Sequence, residues 1–247
     1  SLRKHKLGSS GYLVKYLDLK ICDDNGNELP IGEKGEIVVR GENVMVGYWK
    51  NEKATRETIR DGWLYTGDMG YVDKDRFLYV LGRFKSLLIS DDGEKYSPEG
   101  IEETITDRSP LIDQMMLFNN QNKYTAALIV PNAEGLIRWA KGRNISLEEP
   151  GGLKAILNAI EQVVNQYEPG EIYGDLFPSR WLPSAIAILD EPFNSDNKQL
   201  NSLGKMVRSK IVERHMDRID FLYTTEGKNI VNQRNIDAIR KLLHIRN

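Results

Sequence analysis

The stretch that decides the fold reads LYTGDMGYVDKDRFLYVLGRFKSLLISDDGEKYSPEGIEE and covers residues 64–103. Its first half alternates short β-rich runs with turns, which predicts two strand pairs: residues 64–66 with 70–72, and residues 77–81 with 87–90. Its second half opens on the charged junction Gly82-Arg83-Phe84-Lys85 and ends in Ser97-Pro98-Glu99. That triplet suits a helix start, with serine as N-cap, proline in the first position, and Glu99, Glu102 and Glu103 toward the positive end of the dipole. Upstream, residues 12–21 and 36–40 read as strands around the turn Asp23-Asp24-Asn25-Gly26-Asn27. Asn51 is placed to cap a short helix through Ile59, ended by Asp61-Gly62. Downstream, strands are expected at residues 114–118 and 124–130, split by the polar turn 119–123. Leu153, Ile156, Leu157, Ile160, Val163, Val164 and Tyr167 then form an unbroken apolar stripe at helical spacing. A strand at 185–189, a polar loop at 194–201, and helices near 205–218 and 236–243 complete the chain. The predicted fold class is α+β: a β-rich, mostly antiparallel subdomain over residues 1–82, then a domain over 83–247 with a small sheet flanked by helices.

Composition narrows the class. The chain has 247 residues, 40% of them apolar, enough for a real core in one small and one ordinary unit. A formal net charge of −2 gives no electrostatic support to a nucleic-acid partner. A single cysteine, Cys22, excludes an internal disulfide and favours a reducing compartment. His5, His215 and His244 are scattered, so no metal site is expected. No apolar run reaches the length of a membrane span. The start, Ser1-Leu2-Arg3-Lys4-His5-Lys6, is basic without an apolar stretch behind it; it reads as a chain entered mid-domain rather than a signal peptide.

Three motifs could carry chemistry. In Tyr65-Thr66-Gly67-Asp68 the aspartate follows a glycine at an expected strand end, where one carboxylate can accept from two vicinal hydroxyls. By itself the motif fits a hairpin turn with local backbone bonds better than a ligand clamp. Arg83 and Lys85 lie at the junction between the two compositions and suit a mobile linker, while Gly93 in Asp91-Asp92-Gly93-Glu94 supplies a bend that a ligand could approach. The bland alternative is a surface loop before a capped helix. In Leu200-Asn201-Ser202-Leu203-Gly204-Lys205 the lysine is expected in a first helical turn, where its compact charge could meet a phosphate in a transition state. A cation at a helix start is mildly unfavourable, which argues against an idle lysine there. No Walker-type phosphate loop is present.

The order and spacing of these landmarks carry more than any one of them. Gly35-Glu36-Ile37-Val38-Val39-Arg40-Gly41 leads to Gly47-Tyr48-Trp49, then to Asp61-Gly62-Trp63-Leu64-Tyr65-Thr66-Gly67-Asp68. Gly82-Arg83-Phe84-Lys85, residues 98–102 and Gly204-Lys205 follow. This series resembles the adenylate-forming superfamily, and within it the carboxyl-terminal portion of AMP-forming acyl-CoA synthetases. The resemblance implies a ligase that activates a carboxylic acid with ATP as an acyl-adenylate and transfers it to CoA. It implies that Asp68 holds the ATP ribose, that Arg83 lies near that ribose, and that Lys85 is the hinge of a mobile carboxyl-terminal domain. Gly93 would lie beside the CoA channel, and Lys205 would be the catalytic lysine bridging α-phosphate and carboxylate. A helical insertion around residues 132–180 and the loop before Lys205 resemble long-chain fatty acid–CoA ligases, which implies a medium or long fatty acid. Gly100 and Ser86 stand where the family usually has acidic residues, and the loop before Lys205 departs from the commoner Thr-Gly-Lys form. The phosphate loop, the magnesium ligands and most of the acyl pocket would lie in an amino-terminal domain upstream. The isolated chain is therefore expected to fail at adenylation, and the enzyme to be cytoplasmic or peripheral to a membrane. Two rivals stay open: a non-catalytic binding or regulatory module with this fold, and a ligase whose acceptor is a carrier protein.

Overall fold

The computed structural model describes residues 5–245, so Ser1 to Lys4 of the basic start lie outside the described residues. The chain divides between Leu87 and Leu88 into two compact units. The division falls later than the Gly82–Arg83 boundary expected from composition. The reason is local: Arg83 ends a strand of the first unit, and the 3-10 turn Phe84–Ser86 follows it directly.

The first unit is one antiparallel sheet. Its strands are β1 (Gly11–Tyr12), β2 (Leu17–Cys22), β3 (Gly35–Gly41), β4 (Ile59–Arg60), β5 (Trp63–Val72) and β6 (Phe77–Arg83), with one short helix, α1 (Glu52–Thr58). The order is β1-β6-β5-β3-β2, with β4 paired to β5. Ile21, Cys22, Ile37, Val38, Met69 and Phe77 are buried. Aromatic pairs reinforce the ladder: Tyr71 and Tyr79 face each other in register, their rings stacked at 4.7 Å. The side-chain oxygen of Asn51 accepts from the backbone N–H of Ala54, so the helix start read from the sequence is capped as expected.

Two local readings differ. Residues 64–66 and 70–72 are not a strand pair but two halves of one long strand, β5, which pairs with β3 on one side and β6 on the other. Asp61 and Gly62, both at positive φ, form the two-residue turn between β4 and β5 rather than only a helix stop.

The second unit begins with β7 (Leu88–Ser90) and β8 (Lys95–Tyr96), then α2 (Glu99–Arg108), β9 (Ile112–Phe118), β10 (Asn120–Asn122) and β11 (Thr125–Pro131). α3 (Ala133–Lys141), α4 (Pro150–Asn165), β12 (Pro183–Ile188), α5 (Arg208–Leu222), α6 (Thr225–Lys228) and α7 (Gln233–Leu242) follow. The main sheet has the order β12-β11-β9, with β11 antiparallel to β9 and parallel to β12. Every residue of β11 is buried, because alternate side chains feed two cores. Ala127 and Ile129 pack with the apolar stripe of α4, and Ala126, Leu128 and Val130 pack with Ile211, Ile219 and Leu222 of α5. The free edge of β12 is closed by Asn235 of α7, which accepts from the N–H of Ile188 at 2.9 Å and donates to the carbonyl of Ile186 at 2.9 Å.

β7 pairs with β8 and β10, not with β6, so the second strand pair predicted from sequence is split between the units. α2 starts at Glu99 with Pro98 in the cap position and no side-chain capping bond, so Ser97 does not cap it. Among the described residues no helix is long and apolar enough to cross a membrane.

Candidate functional site

The candidate residues fall into two sets, one in each unit. In the first, Asp68 sits within β5 on a bulge rather than at a strand end. Between the pairs Glu36–Met69 and Val38–Tyr65 the register shifts, and Thr66, Gly67 and Asp68 on β5 stand opposite the single residue Ile37 on β3. Three bonds fix the bulge. The Thr66 hydroxyl donates to the carbonyl of Ile37 at 2.7 Å and accepts from the N–H of Asp68 at 3.0 Å. The N–H of Gly67 donates to the Glu36 carboxylate at 2.9 Å. Gly67 adopts φ +72, the left-handed region that glycine tolerates best. Across the ladder Asp68 pairs in register with Arg83, whose Nε lies 3.1 Å from Oδ1 and whose Nη1 donates to the carbonyl of Thr66 at 3.1 Å. The fold thus brings Asp68 and Arg83 together, with the carboxylate partly exposed. Lys85 lies exposed on the turn after Arg83.

In the second unit Gly93 closes the β7–β8 hairpin at φ +84, with its N–H donated to the carbonyl of Ser90 at 3.0 Å. A Cβ placed there would meet nothing within 4 Å, so this backbone is open to approach. Asp92 orders the tip by accepting from the Ser90 hydroxyl at 2.5 Å and the Glu94 N–H at 3.0 Å; these bonds, helped by Arg180, hold its carboxyl below the usual range.

Lys205 is not in a helix. α5 begins only at Arg208, and Leu200 and Met206 form an isolated antiparallel bridge, so residues 200–206 make a tight hairpin of their own. Asn201 organises it: its side-chain oxygen accepts from the N–H groups of Leu203 at 2.9 Å and Lys205 at 3.0 Å. Lys205 therefore lies outside the first turn of a helix. Its side chain is exposed and makes no hydrogen bond or ion pair among the described residues. The base of this loop is held by Gln199, buried, whose amide lies 2.9 Å from Nε2 of His215.

Sequence reasoning missed the anchor behind this loop. Glu102, read from the sequence only as a charge toward a helix dipole, is buried. It accepts from the N–H of Leu117 at 2.6 Å and binds the guanidinium of Arg208, which also donates to the carbonyl of Leu117 at 3.2 Å. Burial pushes the Glu102 carboxyl up, and Arg208 offsets part of that. The signal was available: Glu102 adjoins Ile101 and Ile105 on the inward face of α2. Among the described residues no three His, Cys, Asp or Glu side chains group to hold a metal ion.

A three-stranded sheet with helices on both faces follows the antiparallel unit in the chain, and a solved adenylation domain shares this mixed fold. Residues 1–49 match the family described as "AMP-binding enzyme" and residues 85–227 match "AMP-binding enzyme C-terminal domain"; the chain belongs to this family. It is 31% identical over 242 residues to a probable acyl-activating enzyme of Arabidopsis thaliana chloroplasts, covering 90% of this chain and 32% of that one. It is 30% identical over 229 residues to a long-chain-fatty-acid–CoA ligase of Mycobacterium tuberculosis, covering 89% of this chain and 37% of that one. Among solved structures, the O-succinylbenzoate coenzyme A synthetase of Bacillus subtilis in complex with AMP matches with a TM-score of 0.55 and 26% identity, over 83% of this chain and 35% of that one. The chain thus spans about a third of the length of the curated relatives it matches.

Proposed function

We propose that this chain acts as the carboxyl-terminal part of an AMP-forming acyl-CoA synthetase. In the first half-reaction a carboxylate oxygen attacks the α-phosphate of ATP, forming acyl-adenylate and releasing pyrophosphate. In the second, the thiol of CoA attacks the acyl carbon and AMP leaves. The observation that carries this reading is Lys205: an ammonium with no partner among the described residues, on a hairpin whose backbone Asn201 fixes. Such a charge stabilises a phosphate that gains negative charge in the transition state, without first breaking an ion pair.

Asp68 and Arg83 suit the ribose. Arg83 engages Oδ1 of the carboxylate, and the partly exposed group keeps acceptor capacity for two vicinal hydroxyls. Lys85, exposed just before the division between the units, is our candidate hinge residue, and the open backbone of Gly93 our candidate wall of the thiol channel. We read the first unit as the tail of a larger ATP-binding domain that would supply the magnesium ligands and most of the acyl pocket. A medium or long fatty acid is our favoured substrate, supported by the Mycobacterium tuberculosis relative. Cys22, buried and free, suits a reducing compartment such as the cytoplasm.

The test is acid-dependent ATP–pyrophosphate exchange, run across short, long and aromatic acids on a form of the protein extended to the length of its relatives. Lys205→Ala should lower exchange by about 10²–10³-fold. Undiminished exchange in that variant would remove Lys205 from the mechanism, and no exchange with any acid would sink the enzyme reading itself.

A further inference from the structure

The hairpin that carries Gly93 is short; β7 also pairs with β10, while the β8 side and the tip take further support from far along the chain. A 3-10 turn, Ser179–Trp181, lies at the end of the long helical segment and directly before β12. From it the Arg180 guanidinium reaches the Glu94 carboxylate, with Nη2 2.6 Å from Oε2, and its Nη1 lies 3.9 Å from Asp92. The indole N–H of Trp181 donates to the same Glu94 oxygen at 3.0 Å. One carboxylate beside Gly93 therefore takes a charged and a neutral donor from adjacent residues. The Trp181 ring also stacks on Tyr96 at 5.2 Å with planes 5° apart. The Tyr96 hydroxyl in turn meets the Thr125 hydroxyl at 2.5 Å, at the first residue of the central strand β11. Trp181 and Leu182 close the turn through their N–H groups, and β12 continues from it beside β11.

We propose that Arg180 and Trp181 are positioning residues for the thioester-forming step, latching the Gly93 hairpin to the main sheet so that its open backbone is held in one place. This rests on the reading of Gly93 as part of the thiol channel. It gives the helical segment between β11 and β12 a role, since that segment delivers the latch. Neither residue need touch the substrate. The expected signature is a change in the apparent affinity for CoA with adenylation left intact, because Lys205, Asp68 and Arg83 belong to other elements.

The test has two arms. On the chain itself, amide hydrogen exchange at Gly93 and Ser90, whose N–H groups are bonded within the hairpin, should quicken in Arg180→Ala and in Trp181→Phe. The phenylalanine keeps the ring on Tyr96 and removes only the donor. β9 and β11 should stay protected. On the extended form, Arg180→Ala should raise KM for CoA about tenfold while ATP–pyrophosphate exchange stays within about twofold, with Arg180→Lys restoring part of the loss. Unchanged hairpin exchange, or loosening spread equally through β9 and β11, overturns the latch. Loosening confined to the hairpin with an unmoved KM overturns the positioning role. Gly93→Trp then separates the causes. If filling the open space also spares the thiol step, the channel reading of Gly93 has failed; if it blocks the step, only the latch has.

Discussion

Each unit holds an arginine–carboxylate pair at its candidate chemistry, and the two pairs are opposites. In the second unit the Arg208 and Glu102 side chains are 16% and 4% exposed; in the first, Arg83 and Asp68 are 63% and 34% exposed. The buried pair is wrapped: both partners also bond the backbone of Leu117, and together they tie α2, β9 and the start of α5 at the base of the Lys205 loop. A charge taken out of water is tolerable only with such full pairing, so this pair is committed to structure. The exposed pair contributes little to stability, because water screens it, and for that reason its acceptor capacity remains open to a ligand. The same two functional groups thus differ by burial: one pair is committed to the scaffold, and the other is left open to solvent.

The largest break in this comparison comes from Glu102→Ala, which strands Arg208 without its anion. It should destabilise the second unit by about 3–5 kcal/mol, read as a lowered urea midpoint. Glu102→Gln should cost less, since its amide oxygen can still accept from Leu117. A mild Glu102→Ala would mean that the pair is not sealed from water and that the contrast is false. Next in size is Gly67→Ala. At φ +72 a Cβ costs about 1–2 kcal/mol, and relief of that strain by flattening the bulge would swing Asp68 away from Arg83. Calorimetry on the chain reads the first effect, and chemical shifts at Asp68 and Arg83 read the second.

What the sequence disclosed and what it hid follow the range of the interactions. The stripe of α4 and the Asn51 cap were legible because their periods and partners are local. The bulge at Thr66-Gly67-Asp68 was not, since it exists only relative to the register of β3, roughly thirty residues upstream. β7 was assigned to the wrong sheet for the same reason: its partners β8 and β10 lie after it, beyond the compositional boundary. The helix placed on Lys205 failed on a local competition, the side chain of Asn201 capturing amides that a helix would need. Of the candidate residues, the pairing of Asp68 with Arg83 and the exposure of Lys205 became visible only in three dimensions.

A pH experiment sharpens the comparison from the Lys205 side. Burial first, and then Arg214, pull the His215 imidazole below its ordinary value of 6.5. Folding therefore favours the neutral ring. Its contribution is present above the unfolded value and is lost as pH falls through the depressed folded one. Stability of the second unit should decline as pH drops from 7 toward 5, with the residues around Gln199 loosening first. His215→Asn should flatten that slope, and an equal slope in the variant would assign the acid sensitivity elsewhere.

The smallest expected change in stability is the most telling for function. Asp68→Asn removes the charge of the exposed pair while keeping the side chain's size, and it should alter unfolding of the first unit by no more than about 1 kcal/mol. In the extended form the same substitution should weaken ATP binding at least about tenfold, because an amide offers one acceptor oxygen where the carboxylate offers two. Restoring the charge one methylene too far out, as Asp68→Glu, should recover stability but not affinity, since the bulge fixes where the shorter carboxylate sits. Equilibrium dialysis with labelled ATP beside urea unfolding would read both. A variant that lost stability in step with affinity would show the exposed pair to be scaffold after all, and would erase the distinction between the two arginines.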